Sequence, residues 1–340
     1  MRGPEGKTRP TRSWVDLLTD EIDRLPGPTW LAYLVAFAVL LLLANSAGWL
    51  DGYLPLGSFD VYLSSLAAFG VSGLAAIHYL DRETEIAVDR LRPALSVNDE
   101  AFLELRRRLT ELPAGPTIFW TLVGLAIAVA YATDSSIRLR GQASVTVDIA
   151  IALVGSPLLA VLFYHAVRQL WLISHIQTQL ASIDLFQRES LVAFSGVTAR
   201  TGLIILALAY LLAAPEPSPL QNPSLIVFVG LSVLLAVAAF VLPMYGMHRR
   251  IAAEKSRLAT LANQDLKVAL ARLSAGAQAG DLTDAEGLNQ HLSSLIIQRD
   301  VIAAIPTWPW EPDTLRAFST AVVLPIALWL IFRVFEQVFA

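Results

Sequence analysis

The chain contains no cysteine, which excludes disulfides, thiolate metal sites and a cysteine nucleophile. It is also short of charge. Asp, Glu, Lys and Arg make up 16% of 340 residues, too few to coat a soluble globule of this size. The net charge of −4 leaves no basic excess for a nucleic acid. Walker, GxGxxG and HExxH patterns are missing, and so is a paired-carboxylate pattern. The sequence therefore reads as a non-enzyme with no cofactor and no metal. It has no low-complexity tract and no repeat of solenoid period.

What the chain has is apolar length. Hydrophobic residues form 55% of it and gather in seven stretches, at 30–50, 61–80, 116–132, 145–167, 197–214, 224–245 and 314–334. Most approach the roughly 20 residues that cross about 30 Å of hydrocarbon. The links 51–60, 133–144 and 215–223 are short, whereas the tail 1–29 and the links 81–115, 168–196 and 246–313 are long. Seven crossings put all four long segments on one side. Of the 25 Lys and Arg, only Arg138, Arg140 and Arg333 lie on the other. The positive-inside rule then places the N-terminus and long links in the cytoplasm and the short C-terminal tail outside, in a plasma or inner membrane. A polar tail precedes the first apolar run, so that run is expected to stay as an anchor rather than be cleaved. Trp30, Trp49, Trp120, Trp308 and Trp310 sit near span ends, as interfacial aromatics do.

The expected fold is all-α: a polytopic membrane protein of seven transmembrane helices, with a helical cytosolic bundle formed by extensions of the spans. Residues 1–29 form a cytosolic tail and 30–245 carry six spans with extensions at 81–115 and 168–196. Residues 246–313 form a cytosolic helical region and 314–340 the last span with a short external tail. In the tail, Ser13 and Asp16 make a capping-box start to a helix that places Trp14, Leu17, Leu18, Ile22 and Leu25 on one face. The helix of the fourth span is expected to run from 145 to 184, about 60 Å by helical rise, twice the hydrocarbon thickness. The sixth continues through Leu258, Leu261, Leu266, Leu270 and Leu273 to an end at Gly276 or Gly280. A further helix starts at Thr283 with Glu286 and carries Leu288, Leu292, Leu295, Ile296 and Ile302. Pro306 to Pro312 breaks it, and Asp313 is the expected N-cap of the last span. Apolar stripes that leave a membrane must be covered. That marks Leu258, Leu288, Leu292, Ile296, Trp308 and Trp310 as candidates for an anchor or oligomer contact, within one chain or between subunits.

Weaker signals have plainer readings beside them. Ser64, Ala68, Ser72 and Ala76 form a stripe for close helix approach. Asp148 reads as an interfacial carboxylate near the outer end of the fourth span. His78, His165, His175 and His248 fall toward the inner face and read as satisfied histidines rather than ligands. Gly70-Val71-Ser72-Gly73 matches the GxSG of rhomboid-type proteases, a cheap match in so small-residue-rich a span. On the last span Ser319, Val323, Ile326, Leu330, Arg333 and Gln337 recur at helical spacing, polar at both ends and apolar between. A pore with a hydrophobic gate has that pattern, as does an ordinary span. Pro325 offers a kink.

Seven spans, an internal N-terminus, long internal links and a C-terminus just past the last span resemble the insect odorant and gustatory receptors and their remote relatives in the seven-transmembrane ion channel superfamily. The resemblance is architectural and covers the whole chain. It implies a tetramer held by a cytosolic anchor domain, matched by 145–184, 251–273 and 283–305, with 314–334 as the pore half. The insect motif of the last span, Thr-Tyr, five apolar residues, then Gln-Phe, is not kept: Thr320 is followed by Ala321, and Ala327 and Leu328 stand at the Gln and Phe positions. A distant prokaryotic member is the implied identity.

The leading expectation is an oligomeric ion channel in the lipid bilayer, ligand-gated in one variant, with its pore along the last span and its small-molecule ligand undefined. The alternatives are a secondary transporter, which would show paired broken helices at mid-membrane, and a non-conducting scaffold or receptor.

Overall fold

A computed structural model describes residues 12–95, 97–133, 141–179, 185, 188–215, 223–279 and 285–339. Its described residues form helices joined by turns, with an isolated bridge between Arg12 and Pro113. The helices are α1 (Trp14–Asp23), α2 (Thr29–Leu50), α3 (Val61–Leu91), α4 (Asp99–Thr110), α5 (Ala114–Ala132), α6 (Gln142–Gln179), α7 (Arg188–Val192), α8 (Ser195–Ala213), α9 (Pro223–Ala279), α10 (Ala285–Ala304) and α11 (Pro312–Phe339). Among the described residues six helical segments are long and apolar enough to cross a membrane: Thr29–Leu50, Val61–Ala94, Ala114–Ala132, Gln142–Thr178, Ser195–Ala213 and Pro223–Ala275.

The helix α6 is the hub, packing against α2, α3, α5 and α9. It runs unbroken through Pro157, and α5 meets it there because Gly124 leaves room. A Cβ at Gly124 would stand 2.4 Å from Pro157 Cα, so only a glycine lets these two backbones touch. On α3, Gly73 plays the same part, with 2.9 Å to Leu158. The contact face of α3 is therefore Leu63, Ala67, Gly70, Gly73, Ile77 and Leu80. Of the expected stripe, Ala76 is buried, while Ser64, Ala68 and Ser72 lie half-buried to one side of this face, because the two glycines allow the closer approach. The end of α2 turns back at Asp51, whose carboxylate accepts from the amides of Ala143 (3.1 Å) and Ser144 (2.7 Å) and so caps α6 from outside.

Several expected boundaries move. The second apolar run ends at Leu80 and is followed by the extension expected at 81–115. Its helix continues to Leu91 because Thr84, Ala87, Val88 and Leu91 keep the buried period. There it meets α4, α6, α7 and α9 in a second core that includes Leu109, Ile173, Ile176, Phe194, Met244 and Ile251. The helix α4 is held by an Asn98 cap, by Asp99 and Glu100 in its first turn, and by Arg107 and Arg108 in its last. The helix α9 passes Gly276 and is described as far as Ala279, and the other expected stop, Gly280, lies outside the described residues. An isolated Gly costs about 1 kcal/mol in a helix, too little to end one with 50 residues behind it. The described part of α6 ends at Gln179, and 180–184 lie outside the described residues, as does Thr283. Pro312 rather than Asp313 opens α11, with Leu315 N bonded to the Glu311 carbonyl. Asp313 sits in the first turn, where its charge still suits the helix end.

In α1 the capping box of Ser13 and Asp16 is present, but its apolar residues divide. Val15 is buried and Trp14 half-buried against α3 and α5, while Leu17, Leu18 and Leu25 face outward. Asp16 explains the rotation. Its carboxylate also accepts from Leu112 N at 3.1 Å, tying α1 to the turn before α5. Trp14 Nε1 adds a bond to Thr121 at 3.1 Å.

Candidate functional site: the last helix and its foundations

The helix α11 packs on α8 and carries two different faces. Phe318 is buried, with Ala321 and Val322 packed beside it against α8 and α9. Ser319, Thr320, Val323 and Leu324 are exposed, Val323 at 57%. Of the six sequence-predicted positions, Ser319 and Val323 thus share the outward face. The side chains of Ile326, Leu330, Arg333 and Gln337 lie outside the described residues.

What fixes the start of α11 is a stack of rings. His248 lies on Trp308 (4.0 Å between centroids), Trp308 on Trp310 (4.4 Å), Trp310 on Phe240 (4.7 Å) and Phe240 on Phe318 (4.3 Å). Parallel rings at these separations bury large areas with directional preference. Polar bonds lock the same turn. His248 Nδ1 meets the Thr307 carbonyl at 3.1 Å, and Lys255 Nζ donates to the carbonyls of Ala303 (2.7 Å) and Ile305 (2.6 Å), satisfying the end of α10. Trp308 and Trp310 are thereby bound to α9 of their own chain.

Beyond this turn, α9 and α10 form a two-helix arm. Leu292 and Leu295 are buried against Ala269, with Leu266 and Leu273 packed beside them. Leu292 therefore closes the arm within one chain. Leu258 and Leu288 are half-buried. Ile296 (41%) and Ile297 (64%) point outward, and Leu261, Val268, Leu270 and Val301 are also exposed. The free surface predicted for an oligomer contact is thus Ile296 and its neighbours. A helix of 57 residues extends about 85 Å by rise, nearly three hydrocarbon thicknesses, so most of this arm lies past any bilayer.

A belt of charge crosses the block where α3 and α6 pass from the first core to the second. His165 is fully buried, with Nε2 3.0 Å from Asp81 Oδ1, though not in hydrogen-bond alignment. His78 lies between Tyr33 Oη (2.9 Å) and Asp23 (3.2 Å). Arg200 pairs with Glu83 at 3.2 Å and Arg106 with Glu85 at 3.1 Å. Gln169 and Arg168 donate to the carbonyls of Leu109 and Glu111. His175 stacks on Trp171. His78 and His175 have structural neighbours, whereas neither ring nitrogen of His165 has a hydrogen-bond partner, so the expectation of a satisfied histidine fails there. No group of three or more metal-ligating side chains converges among the described residues. Sequence reading found His165 but missed Asp81. The usable signal was the unbroken buried period of α3 beyond Leu80.

Two other candidates change character. Ser72 of the GxSG donates its hydroxyl to the Phe69 carbonyl at 3.0 Å. Asp148, one turn after Ser144 and near the start of α6, is fully buried among the helices packed there. Between α6, α8 and α9 lies an apolar groove of ≈ 460 Å³ walled by Phe163, Trp171, Ile204, Leu208, Phe228 and Leu235. No protein-family model matches the chain, and neither does any curated protein or solved structure.

Proposed function

We propose that the protein is an oligomeric membrane channel whose ion path runs along the exposed face of α11. The observation that carries this reading is the division of α11: one apolar face is buried on α8 and α9, and Ser319, Thr320 and Val323 are left uncovered. The arm supports it. Ile296, Ile297 and Val301 lie on the part of the chain beyond the bilayer, where exposed apolar residues need a protein partner, and a second copy is the economical one. In this reading α11 is the seventh span, the N-terminus and arm are cytoplasmic, and Val323, Ile326 and Leu330 form the apolar constriction. Such a constriction blocks ions by dewetting. Arg333 sits near the outer mouth, about 28 Å from Thr314 by helical rise.

The absence of native cysteine provides the test. Ser319→Cys and Val323→Cys would each carry the chain's one thiol, and reconstituted bilayers should show current that a charged thiol reagent blocks at both positions. Ile326→Ser should raise basal current, and Arg333→Glu should shift selectivity toward cations. Current unaffected by modification at either cysteine would remove α11 from the path. No current from any variant would favour a scaffold.

A further inference from the structure

Where α3, the start of α8 and the start of α11 meet, a second cavity of ≈ 170 Å³ has a polar wall. Its charged residues are Glu83 and Arg90 of α3, Arg200 of α8 and Glu311 ahead of α11. The first turn of α8, Ser195 to Val197, forms part of the wall beside Val192 and Ala193, and no side chain caps that helix. The amides of an uncapped first turn carry about half a positive charge. Ser195 is fully buried there and its hydroxyl has no hydrogen-bond partner. Arg200 is fixed rather than free. Its Nη1 lies 3.2 Å from Glu83 Oε2, its Nε donates to Tyr79 Oη at 2.8 Å, and it rests on bare backbone at Gly196, where a Cβ would stand 2.4 Å from Nη1.

The wall therefore presents two guanidiniums and a helix start together with two carboxylates. A simple anion would face Glu83 and Glu311, and a simple cation would face both arginines. A group with both signs on a short tether matches all of them. We propose that this cavity binds a phosphate–ammonium zwitterion, its phosphate at the start of α8 between Arg90 and Arg200 and its ammonium at Glu311. That chemistry is the ethanolamine headgroup of a phospholipid, or soluble phosphoethanolamine. The location suits a headgroup, since Arg200 lies in the second turn of the fifth candidate span and the Trp308–Trp310 stack lies on the same turn that leads to Glu311. The inference rests on the membrane reading and not on conduction.

The test is thermal unfolding of the full-length, delipidated protein in detergent, with phosphatidylethanolamine, phosphatidylcholine, phosphatidylglycerol, soluble phosphoethanolamine or inorganic phosphate added. Phosphatidylethanolamine should raise the midpoint by several degrees through preferential binding to the folded state. Phosphatidylcholine, whose trimethylammonium has no N–H to donate, should raise it less. Glu311→Gln should remove the ethanolamine-specific increment, and Arg90→Gln should lower the rise with every phospholipid. Gly196→Ala, which displaces the guanidinium without removing charge, should do the same if either of those variants folds poorly. A rise with soluble phosphoethanolamine alone identifies a soluble ligand, and a rise that needs acyl chains identifies the lipid. Equal effects of all three lipids, or a larger effect of phosphatidylglycerol or inorganic phosphate, would overturn the proposal, as would no response. No current is read, so failure of the channel reading leaves this result intact.

Discussion

The block around α6 and the α9–α10 arm are both made of helices with apolar stripes, yet they are completed in different ways. In the block, bare glycine backbone meets backbone at Gly124 and Gly73, and buried polar groups such as His165 and Asp81 find each other. Its apolar outer surface needs only lipid. The arm buries one line, Ala269, Leu292 and Leu295, and leaves Ile296, Ile297 and Val301 open on a segment that extends past the bilayer. Two helices cannot bury stripes on both flanks. The lesson is that the same amphipathic pattern is self-sufficient where many helices converge and incomplete where only two do.

The strongest way to break the block is Gly124→Leu. Side-chain atoms would enter space now held by Pro157 backbone, and overpacking of that kind should cost about 3 kcal/mol or more. Thermal unfolding in detergent should show a large fall, and a near-native midpoint would disprove the close contact. Next is the buried pair. His165→Ala leaves the Asp81 carboxylate without its partner and should cost about 3 kcal/mol. The double substitution His165→Leu with Asp81→Leu should recover most of that loss. If the double variant is as unstable as the single one, the pair is not what matters at this position.

The arm should respond differently at adjacent residues. Leu292→Ala opens a hole inside the hairpin and should cost about 2 kcal/mol, seen as faster amide exchange in α10. Ile296→Glu with Ile297→Glu should leave that exchange unchanged and lower the particle mass by light scattering. An unchanged mass would mean that the outward face of the arm holds no partner. The smallest effect belongs to Asp51. Its carboxylate lies below the usual range because it accepts from Ser144 and Ala143 at the start of α6. A lowered folded pKa gives stability that is present above the ordinary carboxylate value of about 3.9 and is lost as pH falls through the folded value. Asp51→Asn should therefore flatten the acid limb of the stability profile, slightly less stable than the wild type at neutral pH and converging with it at acid pH. An acid limb identical to that of the wild type would remove Asp51 from this role.

Much of this was written in the sequence. Apolar length marked the helices, because a run of about 20 apolar residues has few other solutions. Ser13 and Asp16 announced the start of α1 by local bonds alone. The stripe on the last helix needed only its spacing to place Ser319 and Val323 together. Leu17 and Leu18 share the exposed side of α1 with Leu25 while Val15 docks, because a hydrophobic stripe does not say which edge docks, and the bond from Leu112 to Asp16 decided it.

Sequence by itself determined the helical class, the apolar runs and the Ser13–Asp16 capping box, all properties of neighbouring residues and of the cost of bare backbone in hydrocarbon. The tertiary structure decided that Asp81 faces His165, that Trp310 stacks on Phe240, that Leu292 closes its own arm while Ile296 remains open, and that Glu83, Arg90, Arg200 and Glu311 share one cavity. Those pairings join residues far apart in the chain. Nothing local selects them: they exist because glycine gaps and stacked rings fix the rotation and depth of each helix against the next.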